Sequence, residues 1–167
     1  KLDDIINGIK ADYKEKKEIY DNLKSEVSIM TEELSFIDFG IYKPMFDFGT
    51  SKEYKEKITD IVNRQRAMVK DAIYSSVEVY ILDNKTQGNK MINTYKKIAL
   101  RCFNNETSTL MKNVKANNVV QVEEKIQKSF KAVNDFLSSL KMYIKKDYLD
   151  LKIEELNARY EHAIILN

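Results

Sequence analysis

Ten positions near the start of the chain, Leu2, Ile6, Ile9, Tyr13, Lys16, Tyr20, Leu23, Val27, Met30 and Leu34, follow one another at alternating spacings of four and three residues. All but Lys16 are apolar or aromatic. A 3.5-residue period keeps such side chains on one seam of a helix and winds paired helices into a left-handed coiled coil. The seam is too narrow to bury well in a globular core. Residues 1–35 therefore read as a coiled-coil helix that pairs with another helix, from a second copy of the chain, rather than packing on its own domain. Lys16 falls at a core d position, where a polar side chain costs stability and helps to fix register or partner number.

The pattern changes abruptly at residue 36. Phe36, Ile37, Phe39, Ile41, Tyr42, Met45, Phe46 and Phe48 crowd around Gly40, Pro44 and Gly49, and a proline flanked by glycines ends the coil. An extended, largely buried connection with room for a short strand is expected there. Thr50 and Glu53 then form a capping box, which starts a helix carrying Tyr54, Ile58, Ile61, Val62, Met68, Val69 and Ala72. The β-branched and aromatic run 73–82 reads as a strand, with Asp83-Asn84-Lys85 as a turn and a partner strand expected within 36–48. A third helix begins near Gln87 and is interrupted at Asn117-Asn118, where Asn118 and Gln121 make a second capping box. Val122 to Leu140 marks a fourth helix, Met142-Tyr143-Ile144 a very short strand, and Leu149 to Ile164 a fifth helix. The fold class is α+β and mainly helical: a coiled-coil helix over 1–35, then a helical domain with a small antiparallel sheet over 36–167.

Composition narrows function by exclusion. Four Gly and one Pro in 167 residues disfavour a turn-dense β fold. One Cys excludes an internal disulfide, and one His excludes an HExxH site or a His cluster, so no metal site is expected. No GxxxxGK[ST], GxGxxG or GxSxG occurs, which withdraws support for nucleotide binding and for α/β-hydrolase chemistry. No run approaches the length of a membrane-spanning helix. The chain opens on Lys1 inside the heptad pattern and closes on Ile164-Ile165-Leu166, and we expect it to be part of something longer.

Net charge is +2, too balanced for a bulk polycation. Resolved by segment it is −3 over 1–35, zero over 36–86, +8 over 87–146 and −3 over 147–167. At about 100° per residue, Lys90, Lys97, Arg101, Lys112 and Lys115 align opposite the apolar stripe of the third helix. A basic stripe on a rigid helix suits contacts to a nucleic-acid backbone. The other reading is a solvated face in a lysine-rich chain, since Arg is the residue expected at bidentate phosphate sites.

Glu106 lands near the centre of that apolar stripe, between Phe103 and Leu110. Two readings stand: a buried polar network built from Asn93, Asn104 and Glu106 with Tyr95 nearby, or a helix break at Asn104-Asn105 with Glu106 starting a new helix. Neither supplies a catalytic pair. Cys102 reads as a buried structural thiol and His162 as a surface or packing residue.

From Glu33 onward the sequence resembles a domain family of bacteria and phages that follows a coiled coil and precedes a GIY-YIG-type endonuclease module. The resemblance runs through Gly40-Ile41-Tyr42-Lys43-Pro44-Met45-Phe46-Asp47-Phe48 and Thr50-Ser51-Lys52-Glu53-Tyr54-Lys55. It continues in Gly88-Asn89-Lys90-Met91-Ile92-Asn93, Leu100-Arg101-Cys102-Phe103-Asn104-Asn105-Glu106, Lys128-Ser129-Phe130, Asn134 and the run Tyr148 to Leu156. Thr107 departs from it, standing where the family usually has Cys. Gly40-Ile41-Tyr42 spells GIY, but no YIG follows at a suitable spacing, so it is not that catalytic motif.

The resemblance implies a non-catalytic recognition or regulatory domain of an anti-phage nuclease. It would sense phage DNA or a phage or host entry protein and position a GIY-YIG endonuclease beyond the chain. The +8 segment motivates a DNA ligand, and the coil and aromatic 36–48 segment motivate a protein ligand. An oligomerisation scaffold with no ligand of its own is the alternative. No cofactor is expected within the chain, a divalent metal is expected in the downstream nuclease, and the setting is cytoplasmic, with an inner-membrane anchor on a segment outside this sequence.

Overall fold

The computed structural model describes residues 1–38, 42–115 and 117–166, and for 25–38 the backbone alone. The chain divides into two compact units, Lys1–Lys43 and Pro44–Asn167. The first holds α1 (Leu2–Asp38), a single 37-residue helix. Phe36 and Ile37 thus lie in helix rather than in the connection, and 39–41, part of the stretch 36–48 expected to hold the strand partner, falls outside the described residues. What is described of that stretch, 42–48, is only half-buried or exposed.

The second unit follows the order α2 (Ser51–Met68), a single 3-10 turn (Val69–Asp71), β1 (Ile73–Ser75), α3 (Lys85–Lys112), α4 (Val119–Ser138), β2 (Met142–Ile144) and α5 (Lys146–Leu166). It is mainly helical with a two-stranded antiparallel sheet. Thr50 caps α2 by accepting the Glu53 N–H at 3.3 Å. Asn84 caps α3 through Oδ1, which accepts from Thr86 and Gln87 N–H. Asn118 occupies the α4 N-cap position but turns its side chain backwards, accepting from the Lys115 N–H and donating to the Asn113 carbonyl. The second capping box therefore does not form, because the preceding turn has claimed its oxygen.

The strand is shorter than its composition suggests and has a different partner. β1 pairs with β2, with Tyr74 opposite Tyr143, and not with 36–48. β2 needs no third strand, because its other side is closed by Asn134. That amide accepts the Ile144 N–H at 2.7 Å and donates to the Ile144 carbonyl at 3.3 Å, substituting for a neighbouring backbone. Beyond Ser75 the chain leaves the ladder and crosses the first turn of α3. A Cβ added at Gly88 would sit 1.5 Å from the Val79 carbonyl oxygen, so only glycine admits this crossing. The return turn places Leu82 and Asp83 at φ 51 and 61, the left-handed pair of a tight hairpin-like reversal.

α5 runs through the middle of this unit, with α2 packed along it and α4 and α3 against its other sides. Its buried positions, from Tyr148 and Leu149 to Tyr160 and Glu161, point round the whole helix. Several of them are polar and are satisfied in place. Lys152 donates to Gln65 Oε1 at 2.9 Å, Gln65 donates to Glu155 at 3.0 Å, and Arg159 donates to Glu155 at 2.7 Å. Burial pushes the Lys152 amine below its usual range, with Arg159 adding to that and Glu155 opposing it. Glu161 accepts N–H groups from Met45, Phe46 and Asp47 and the hydroxyl of Tyr54, holding the 45–47 segment against α5. The apolar core is completed by Phe103, Ile61, Ile126, Leu156 and Ile144.

Gly88→Ala should lower the stability of the second unit by about 1–3 kcal/mol, because the Val79 backbone must retreat. A denaturant midpoint equal to that of the parent chain would contradict the crossing described here.

Candidate nucleic-acid interface

α3 is continuous from Lys85 to Lys112, so Asn104-Asn105 does not break it. Its buried residues are Gly88, Ile92, Ala99, Leu100, Phe103, Thr107 and Met111. Leu100, Thr107 and Met111 turn the buried stripe by about 40° from the one that Tyr95 and Cys102 suggest. That rotation relocates three sequence expectations. Glu106 lies on the flank of the stripe and is exposed; it accepts from the Ser129 hydroxyl of α4 and from Cys102 Sγ at 3.5 Å. Asn93 is exposed, and Asn104 is half-buried with its Oδ1 accepting from the Tyr148 hydroxyl at 2.6 Å. Asn93, Asn104 and Glu106 are thus not buried together: Asn104 is half-buried against Tyr148, Glu106 turns to Ser129 of α4, and Asn93 is exposed. Cys102 is exposed rather than structural and buried. Partial desolvation and then the Glu106 carboxylate push its thiol up, away from a reactive thiolate.

The basic side chains separate cleanly from the core. Lys90, Lys97, Arg101 and Lys112 are all exposed on α3. Lys115 is also exposed but lies past the helix end, which is capped at Asn113, so helical phase does not align it with the others. Among the described residues, none of these five is ion-paired with a carboxylate.

A groove of about 640 Å³ runs between this helix and the 3-10 turn that precedes β1. Val69, Ile73 and Leu100 give it an apolar floor; Lys70, Lys96, Lys97 and Arg101 bring four cationic groups, and Asn93, Asn104 and Asn105 bring three amides. Two of the sequence-selected cations, Lys97 and Arg101, belong to this groove, whereas Lys90, Lys112 and Lys115 do not line it. Lys70, Lys96 and Asn105 were not selected from sequence, because nothing in the helical phase of α3 indicates that the turn before β1 lies beside it. Fixed cations interleaved with amide donors can hold phosphate oxygens without reading bases.

A second groove, of about 440 Å³, opens between α3 and α4 and is apolar, lined by Tyr95, Ile98, Val133, Phe136, Leu137 and Leu140 among others. His162 packs near Tyr54 and lies 2.8 Å from the Ser51 hydroxyl, a packing role. Among the described residues no group of three His, Cys, Asp or Glu is placed to hold a metal ion, and no helix is long and apolar enough to cross a membrane.

The profile of the SNIPE associated domain matches residues 51–166, and the chain belongs to that family. The match spans α2 to α5, and with them both grooves. No curated protein and no solved structure matches the chain.

The Tyr148–Asn104 bond ties the amide wall of the basic groove to α5, and the Tyr148 phenol carries a pH dependence. Burial raises it above its ordinary value of 10.0, with the Asn104 bond opposing the rise and Glu155 adding to it. A raised phenol stabilises the fold fully below pH 10, and that contribution is lost as pH climbs through the higher folded value. Tyr148→Phe should therefore flatten the fall in Tm above pH 10, while costing about 1 kcal/mol at neutral pH through the lost hydrogen bond. An unchanged alkaline slope in a Tm–pH series would refute the assignment.

Proposed function

We propose that this chain is a non-catalytic recognition domain that holds the phosphate backbone of DNA in the groove between α3 and the turn before β1. One observation carries the reading: Lys70, Lys96, Lys97 and Arg101 converge on a groove that also presents three amides and, among the described residues, no carboxylate. Exposed cations without acidic partners release counterions when they meet phosphates, which supplies sequence-independent affinity. The remaining basic residues of α3, Lys90 and Lys112, and Lys115 just beyond it, would extend the contact along the backbone. Membership of the SNIPE associated domain family supports a nuclease setting. In that setting the domain would present bound phage DNA to a GIY-YIG-type endonuclease elsewhere in the full protein, with the divalent metal belonging to that module.

A protein ligand is the second reading, favoured by the apolar groove between α3 and α4, where Phe136 is 83% exposed. The two readings use different sides of α3 and are separable by mutation.

Fluorescence anisotropy with a labelled duplex should give affinity that falls steeply with salt. Lys97→Glu combined with Arg101→Glu should weaken binding at low salt by at least about tenfold and lower the log–log salt slope by about 2. Phe136→Ser should leave both unchanged. No binding at low ionic strength would overturn the DNA reading.

A further inference from the structure

We propose that α1 is a parallel two-stranded coiled coil formed with α1 of a second copy of this chain. The first support is exposure. Leu2, Ile6, Ile9, Tyr13, Tyr20 and Leu23 fill a and d positions of one seam, and they are 45–75% exposed in the single chain. An apolar stripe of this length on an isolated helix is not stable facing water. The seam itself does not say what covers it, since any amphipathic helix meets that need.

The charges beside the seam identify the partner and its direction. With Ile6, Tyr13 and Tyr20 at a and Leu2, Ile9, Lys16 and Leu23 at d, the e positions are Asp3, Lys10, Lys17 and Lys24, and then Thr31 and Asp38. The g positions are Ile5, Asp12, Ile19, Glu26 and Glu33. From Lys10 onward, therefore, one flank carries every cation and the other carries only carboxylates and isoleucines. Two antiparallel copies would set e against e and g against g, bringing lysines to lysines and carboxylates to carboxylates. Two parallel copies set each g against the e position five residues on in the partner. Asp12 then meets Lys17, Ile5 and Ile19 meet Lys10 and Lys24, Glu26 meets Thr31, and only the last pair, Glu33 with Asp38, sets like charges together. There a lysine stem can cover the isoleucine while its amine stays in water. Ile5 and Ile19 are 60% and 53% exposed in the single chain, so this contact has surface to bury.

Lys16 sets the number of chains. In a parallel, in-register pair the two Lys16 side chains share one d layer, where both can reach outward to water. A third helix would add a third ammonium to the same layer and close the outward route. A buried like-charge layer is strongly unfavourable, so the residue that weakens the pair also excludes the trimer.

Sedimentation equilibrium on the 167-residue chain tests the proposal, with a mass of twice 19.6 kDa expected. Ile9→Glu combined with Tyr20→Glu should raise the dimer dissociation constant by at least about 100-fold, since each places a carboxylate in the seam. Lys16→Leu should tighten association and allow trimers. Orientation is read in a Cys102→Ser background carrying Leu2→Cys, where oxidation should give a covalent dimer. A monomer at high micromolar concentration overturns the proposal. So does a dimer that the seam double variant leaves intact, which would place the interface elsewhere. A seam-dependent dimer that forms no Leu2→Cys crosslink would be antiparallel and overturns the orientation. None of these outcomes bears on DNA binding by the second unit.

Discussion

The arrangement of the second unit depends on α5 burying charged residues among its neighbours. Lys152, Glu155 and Glu161 are buried on it, so the elements packed against them must supply partners. α2 does so through Gln65, which bonds Lys152, Glu155 and the Leu151 carbonyl at once. The 45–47 segment does so by aiming three N–H groups at Glu161. Removing Gln65 would cost Lys152 its 2.9 Å acceptor and Glu155 a donor in a buried setting, about 1–3 kcal/mol. The polar pairing therefore fixes where α2 and the entering chain lie, and apolar packing fills the space between them.

That arrangement determines which face of α3 is left open. Phe103 contacts Phe130 of α4 and Tyr148 of α5, at 6.0 and 6.1 Å between ring centroids, and commits one face of the helix to the interior. Tyr148 also reaches Asn104, so the interior contact orients one wall of the basic groove. The 3-10 turn, held in line by the β1–β2 ladder, brings Lys70 to the other wall. A charge excess that is diffuse along the sequence becomes local because the short sheet closes two ends of the chain around α3.

Much of this was legible in the sequence where the signal is local. The cap at Thr50, the four helices of the second unit, the three-residue strand at Met142–Ile144 and the antiparallel sheet all follow from patterns within a few residues of each other. The partner of β1 was not legible, since it depends on Asn134 closing the far edge of β2, a contact no composition rule encodes. β1 ends early for a reason equally remote: the crossing of Val79 over Gly88. The stripe of α3 was misphased because Tyr95 and Cys102 are apolar by type yet face the open α3–α4 groove, while the buried Thr107 is polar. The buried polar positions of α5 were not legible, because its buried residues point round the helix and leave little amphipathic pattern to read. Of the cations that line the basic groove, Lys97 and Arg101 are among those aligned by helical phase in the sequence, whereas Lys70 lies on a separate element that no phase rule places beside α3.

The claim on which the functional reading rests is that the basic groove, and not the apolar one, is where ligand meets this domain. Backbone amide chemical shifts recorded during titration with a short DNA duplex at low salt test it directly. The account predicts perturbations concentrated at Lys70, Asn93, Lys96, Lys97, Arg101 and Asn105, fading as salt is raised, with Ile98 and Phe136 unmoved. Perturbations centred on Ile98 and Phe136, or none at all, would contradict it.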